Sequence, residues 1–284
     1  MKSGLIASAL AAGLAAAPAL TLAAANDASP WTISGSVGLS SDYRERGVSQ
    51  STSDPSVHVS VEVAHRAGAY ASLGIASVSD TEYTGGAGVE LTPAFGWRFT
   101  PADDWGIDLG FNGNVYPGAS GAREAQLADL PPAVANRIRA ASADQSFDTV
   151  QASAALSYRG LEFRASHALT DYFGARYDTS THMGQVQNKA VDSKGTTYLE
   201  LNYDHPIGQH WQWSAHVGRL HVPNLDALDY TDWQLGASVD AWGLTWSLAY
   251  SATNAQTVMY RVAHGSREVD LSSDAVLASV NWKF

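Results

Sequence analysis

Residues 276–284 read Val276-Leu277-Ala278-Ser279-Val280-Asn281-Trp282-Lys283-Phe284, and the alternation in this stretch decides the fold. Val276, Ala278, Val280, Trp282 and Phe284 share one parity; Leu277, Ser279, Asn281 and Lys283 share the other and are mostly polar. Successive side chains of a strand point to opposite faces, so this is a strand with one apolar and one polar side, and a helix would mix the two sets. The same period recurs upstream. Leu244, Trp246, Leu248 and Tyr250 alternate with Thr245, Ser247, Ala249 and Ser251, and Trp233, Leu235, Ala237 and Val239 with Gln234, Gly236, Ser238 and Asp240. Near the other end Val57, Val59, Val61 and Val63 alternate with His58, Ser60, Glu62 and Ala64.

Boundaries at Gly, Pro, Asp and Asn clusters give twelve strands, near 31–41, 55–66, 69–79, 87–99, 105–116, 147–158, 161–172, 196–206, 211–222, 230–241, 243–254 and 271–284. Each has about 10 to 14 residues, longer than the roughly 5 or 6 of a soluble sheet and close to what a tilted strand needs to cross a bilayer. The connections alternate in length. Short ones fall at Ala67-Gly68, 100–104, Arg159-Gly160, 207–210 and around Trp242, and long ones at 42–54, 80–86, 117–146, 173–195, 223–229 and 255–270. The predicted fold is therefore all-β: a transmembrane antiparallel up-and-down β-barrel of about 12 strands, with short periplasmic turns and long extracellular loops. A soluble sandwich has no reason to sort its connections by rim, and in lipid the pairing of every backbone group forces a sheet to close.

Two strands carry irregularities. Pro93 removes a ladder hydrogen bond, so a bulge or an interruption is expected there. Leu220 and Val222 have the opposite parity to Trp211, Trp213, Ala215 and Val217, and a bulge near Gly218 would return them to the lipid side. Within the long loop, Leu127, Leu130, Val134 and Ile138 stand at helical spacing, and loop 117–146 is expected to fold inward as a constriction or plug.

Composition narrows the function. With 45% hydrophobic and 16% charged residues the chain of 284 residues is not a disordered tail, and the absence of Cys removes disulfides, Cys-ligated metals and cysteine nucleophiles. The 17 basic residues against 28 acidic ones, a net charge of −11, argue against a nucleic-acid partner. The mean hydropathy of −0.14 suits a barrel whose faces average to near neutral. Lys2, the uncharged stretch Leu5 to Leu22 and Ala23-Ala24-Ala25 form a secretory signal peptide over residues 1–25, leaving 26–284 as the barrel. The expected location is the outer membrane of a Gram-negative bacterium. The expected partners are outer-membrane lipid and lipopolysaccharide, the barrel assembly machinery and small solutes or ions, with no cofactor.

The polar parity set supplies the pore-lining candidates Glu62, Glu90, Arg98, Asp108, Asn112, Glu162, Arg164, Glu200, Asn202, Asp240 and Lys283. A lipid-facing Arg or Lys at the bilayer midplane costs about 2–4 kcal/mol, which assigns these charges to the lumen. Twelve strands lie between the about eight that side chains fill and the roughly sixteen of a wide aqueous channel, so the lumen should be narrow. Its acidic excess of six to three predicts a preference for cations. Charges pairing across the lumen to hold a rigid, closed barrel are the alternative. Trp105, Trp211, Trp213, Trp242, Trp282 and Phe284 at the short-turn rim, and Tyr43, Tyr83, Tyr116, Tyr172 and Trp233 at the long-loop rim, are expected to form interfacial aromatic belts. Ser166, His167 and Asp171 supply the residue types of a hydrolase triad, but Ser166 and His167 have opposite parities, and His210, His216 and His221 share no consistent face for a metal. An outer-membrane enzyme with a rim active site and a non-conducting structural or adhesion barrel are the other functions that fit.

The segment Ser41-Asp42-Tyr43-Arg44-Glu45-Arg46-Gly47-Val48-Ser49-Gln50-Ser51, followed by Asp54-Pro55-Ser56-Val57, resembles the opening signature of the TorF family of porin-like exported proteins. The similarity continues through Gly68 to Gly74, Asn114 to Gly118, Tyr198 to Tyr203, Asp229 to Trp233 and Gly243 to Ser251, and departs at Glu45, where an aromatic is common, and in loop 117–146. The resemblance implies an outer-membrane barrel with a transport role and assigns no site. Val280, Trp282 and Phe284 also resemble the C-terminal signal by which the assembly machinery recognises barrel substrates.

Overall fold

The computed structural model describes residues 29–83, 85–119, 130–141, 146–175 and 192–284; the predicted signal peptide and part of loop 117–146 lie outside these. Twelve antiparallel strands close into one barrel. They are β1 (Trp31–Ser40), β2 (Ser56–His65), β3 (Ala69–Ser77), β4 (Val89–Ala102), β5 (Trp105–Asn114), β6 (Thr149–Tyr158), β7 (Leu161–Ala168), β8 (Thr197–Ile207), β9 (Trp211–His221), β10 (Tyr230–Ala241), β11 (Leu244–Thr253) and β12 (Ala275–Lys283). Each pairs with its neighbours in sequence, and β12 returns to β1 with Ser40 opposite Ser279 and Ser36 opposite Lys283. All short connections lie at one rim and all long ones at the other. At the short-turn rim Arg159-Gly160 and Trp242-Gly243 both have two consecutive positive φ angles, the backbone of two-residue hairpin turns whose twist matches the strands.

The outer face is apolar. Leu235, Leu248, Phe95, Ile33 and Val276 are each more than half exposed although they are aliphatic or aromatic, which is stable only where that surface meets lipid. Of the aromatics expected at the short-turn rim, Trp105, Trp211, Trp242 and Trp282 are exposed while Trp213 and Phe284 are half-buried, and Trp31 and Trp97 join the exposed set. The tyrosine part of the expected second belt is corrected. Tyr43, Tyr83, Tyr116 and Tyr172 are all buried, Tyr83 stacks on Tyr116 with centroids 3.7 Å apart, and only Trp233 of that set faces outward. Their hydroxyls are engaged by inward polar groups, and buried tyrosine is stable only when its hydroxyl has such a partner.

Pro93 interrupts the β4–β5 ladder without a bulge. Ala94 opposes Asn112, and the next bridge, Leu91 to Val115, keeps the same register. The expected bulge near Gly218 does not form. The β9 register with β8 and β10 is continuous, so Leu220 and Val222 stay on the inner side, both fully buried. They are inward because the long-loop end of the barrel holds an apolar core, in which they pack with Val48, Ala168, Tyr172, Tyr198, Leu225, Tyr230, Val262 and Leu271. Arg219, of the outer parity at this rim, reaches Asp229 at 3.6 Å. Loop 117–146 contains a helix, α1 (Pro132–Ala141), which takes in Val134 and Ile138 of the helical spacing; Leu130 precedes it and Leu127 lies outside the described residues.

The closing seam depends on two glycines of β1. Phe284 exchanges backbone hydrogen bonds with Gly35 (2.8 and 3.0 Å), and its ring occupies the place a Gly35 side chain would take. On the inner side His58 of β2 and Asn281 of β12 hydrogen-bond at 2.6 Å across β1, over Gly38, where a Cβ would lie 2.2 Å from Asn281 Oδ1.

Candidate functional site

All eleven inward candidates named from the sequence have the inner parity of their strands, because each strand keeps one register over the stretch that carries them; the one shift in the β4–β5 ladder falls beyond, between Phe99 and Ala102. The structure joins most of the charged ones into one network. Arg98 of β4 makes a bidentate pair with Glu62 of β2 (2.7 and 2.9 Å), and its Nε donates to Asp108 of β5 at 3.1 Å. Arg164 of β7 approaches the same Asp108 at 3.8 Å, its neighbour Glu162 at 3.2 Å and Glu200 of β8 at 3.8 Å. Glu200 accepts from Asn202, whose carbonyl meets His216 Nδ1 at 2.6 Å, and His216 Nε2 lies 2.9 Å from Asp232 of β10. Glu90 stands apart, accepting from Tyr43 at 2.7 Å, from Asn114 at 3.3 Å and from Tyr116. Asp240 accepts from Thr245 at 2.6 Å. Asn112 and Lys283 join no ion pair among the described residues.

The opposite wall is different in kind. In register across β10, β11, β12 and β1 run Ser238, Ser247, Ser279 and Ser40, and one step along run Ser214, Gly236, Ala249 and Leu277. Most of these positions are assigned to the inner parity from the sequence but are not among the lining candidates, because they carry no charge. Their signal was available: Ser, Gly and Ala repeated at the inner parity of consecutive strands.

The largest difference from expectation is what fills the lumen. Residues 42–52 run inward and are buried throughout. Arg44-Glu45 and Val48-Ser49 pair as a small hairpin whose turn, Arg46-Gly47, has both φ angles positive (51° and 79°). Only glycine fits the second turn position: a Cβ on Gly47 would lie 2.8 Å from Asp232 Cβ. The hairpin touches walls all round. Arg46 donates to Gln151 of β6 (2.8 Å) and to the Tyr172 hydroxyl (3.0 Å) and lies over the Tyr198 ring, its carbon 4.2 Å from the centroid. Val48 enters the apolar core. Arg44 pairs with Asp42 at 2.7 Å and donates to the carbonyls of Gly47 (2.9 Å) and Ser273 (2.6 Å). Glu45 sits 3.5 Å from Arg46, yet burial outweighs that cation and pushes its carboxyl up to about 8. Over the mouth, a second hairpin, Arg261–His264 with Arg267–Asp270, ties the loops together: His264 meets Asp54 at 3.2 Å and Thr81 at 3.0 Å. The inward segment is thus 42–52; in 117–146, residues 120–129 and 142–145 are not among those described.

Ser166 is buried on the inner face of β7 and His167 lies exposed on the outer one, so the two do not form a nucleophile and base. His210 is in a short turn, His216 inside and His221 outside, paired with Asp229 at 2.8 Å.

A closed antiparallel barrel with an apolar exterior and an ion-paired polar interior defines a transmembrane β-barrel protein. The chain belongs to the Gcw_chp family, described as "Bacterial protein of unknown function (Gcw_chp)", whose profile matches residues 24–284. The match carries that name and not the TorF name. Among curated proteins none matches. Among solved structures, the KdgM porin aligns over 89% of this chain and 98% of its own at 6% identity and a TM-score of 0.46. The NanC porin aligns over 89% and 100% at 10% identity and 0.48, and Pseudomonas aeruginosa OprD over 90% and 66% at 12% and 0.36. At such values function has to be read from this chain's own residues.

Proposed function

We propose that the protein is a porin-like channel of the bacterial outer membrane, passing small hydrophilic solutes or ions through a narrow lumen and favouring cations. The observation that carries this is the inward wall from β2 to β10, where Glu62, Arg98, Asp108, Glu162, Arg164, Glu200, His216 and Asp232 line one continuous surface. A barrel serving only as a scaffold has no need of so many desolvated charges, which cost stability even when paired. The eleven residues named from the sequence are the proposed pore lining, with an acidic excess that attracts cations. Export by a signal peptide over residues 1–25, contact with lipopolysaccharide, and recognition of Val280, Trp282 and Phe284 by the assembly machinery complete the reading, which the resemblance to TorF proteins supports.

A second reading, a non-conducting barrel, is favoured by the inward hairpin and by the pairing of most lumen charges. Single-channel recording in planar bilayers separates the two. Discrete conductance steps with a reversal potential of cation-selective sign are expected in a salt gradient; no steps would leave the non-conducting barrel, and anion selectivity would remove the acidic lining as the selecting element.

A further inference from the structure

Where the hairpin meets the serine wall there is a cavity of about 40 Å³, lined by Asp42, Tyr43 and Arg44 on one side and by Ser40, Ser214, Gln234, Gly236, Ser247 and Ser279 on the other. Two buried polar atoms of this lining have no hydrogen-bond partner among the described residues: Arg44 Nη2 and Ser40 Oγ. Arg44 is 3% exposed, and its other nitrogens are committed, Nε to Asp42 and Nη1 to two backbone carbonyls. Asp42 is saturated as well, accepting from Arg44 and from the hydroxyls of Ser49 (2.6 Å) and Ser51 (3.0 Å). The Asp42 carboxylate and the two carbonyls therefore fix the guanidinium in place and leave one nitrogen, Nη2, without an acceptor among the described residues. A buried guanidinium nitrogen with nothing to bond carries the full cost of its desolvation, so the site is built around a group that arrives from elsewhere.

The chemistry of the lining says what that group is. Guanidinium nitrogens only donate, so the atom that meets Nη2 must be an acceptor. A cation's donors prefer an ionised acceptor, which makes a carboxylate oxygen the better partner than a hydroxyl or carbonyl. Ser40 offers a hydroxyl to the second oxygen, and Ser247, Ser279 and Gln234 surround the rest of a small polar body. The acidic network lies on β2 to β10, while the lining of this cavity, drawn from β9 to β12, β1 and the hairpin, carries no ionised group beside the Asp42–Arg44 pair. We propose that this cavity is a binding subsite for the carboxylate of a small organic acid, held by Arg44 Nη2 and Ser40. The proposal deepens the channel reading, on which its meaning as a station along a solute's passage rests.

The test is saturation-transfer NMR on the detergent-solubilised full chain, with lactate as probe and lactamide, its uncharged near-isostere, as control. Saturable transfer to lactate and about tenfold weaker binding of lactamide are expected. Arg44→Lys keeps a cation for Asp42 but removes the unbonded Nη2, and should weaken lactate binding about tenfold; Ser40→Ala, which changes no ion pair, should weaken it about threefold. Unheated gel mobility reports whether each variant is folded, and Ser40→Ala stands as the test if Arg44→Lys is not. Equal binding of lactate and lactamide, binding unchanged in a folded variant, or no saturable binding at all would each overturn the subsite. Because binding is read without current, conductance of the same protein in potassium chloride decides the channel reading separately.

Discussion

Glu45 is an acidic side chain enclosed in the lumen, with Arg46 beside it and the carboxylates of Glu90, Glu200 and Asp232 adding repulsion. Seated, its carboxyl titrates at about 8; released to water, it would return to the ordinary value of 4.5. The seated hairpin thus holds one more proton than the released one between those two values. Its stability is fully present below about 4.5 and is lost as pH rises through about 8. On the channel reading, with the hairpin as the part that closes the lumen, opening should accordingly increase from acid to mildly alkaline pH, and Glu45→Gln, which cannot ionise, should flatten the profile. Open probability in planar bilayers across this range reads both, and an unchanged profile in Glu45→Gln would assign the titration to another group. Gly47 bears on the seating of the same hairpin sterically. Gly47→Ala puts a Cβ 2.8 Å from Asp232 Cβ at a φ of 79°, a strain of about 1–3 kcal/mol, and faster tryptic cleavage at Arg44 and Arg46 is the expected sign of a loosened hairpin.

At the scale of elements, the hairpin lies within the lumen without being barrel wall. Replacing residues 44–49 with a Gly-Ser linker of equal length removes Arg46, Val48 and their wall contacts while leaving every strand of the barrel intact. Single-channel conductance should rise several-fold; an unchanged value would place the constriction elsewhere, in the charged network or under the mouth hairpin. This element also marks where sequence reading stops. The strands were legible because lipid demands one apolar face, and Leu244, Trp246, Leu248 and Tyr250 announce it without reference to any neighbour. Nothing local distinguishes Asp42 to Thr52 from a solvated polar loop, since the groups that satisfy Arg46 come from β6, β8 and the segment after β7. Leu220 and Val222 show the same limit: a bulge is expected to return them to the lipid side, and they stay inward because a core at the loop end, built from separate stretches of chain, takes them up. The tyrosines misled for the same reason, since an aromatic at a strand end suits a membrane interface and a loop core equally well.

At the scale of the whole molecule, the arrangement is inverted relative to a soluble domain: aliphatic side chains are outermost and ion pairs innermost. The inversion makes a prediction whose sign differs between the two environments. Leu235, near the middle of β10, is 59% exposed on the outer face. In a water-soluble sandwich Leu235→Arg would be neutral or would improve solubility. In a bilayer it places a charge near the hydrocarbon midplane and should cost about 2–4 kcal/mol of folding stability. Trp242, 89% exposed in the short turn between β10 and β11, supplies the depth control, since Trp242→Arg lies at the interface where the cost falls to about 0–1 kcal/mol. Folding from urea into phosphatidylcholine vesicles, followed by the difference in gel mobility between unheated and boiled samples, measures both. A large loss for Leu235→Arg with little for Trp242→Arg is expected of a barrel whose waist meets lipid; equal effects would mean that Leu235 does not lie at hydrocarbon depth.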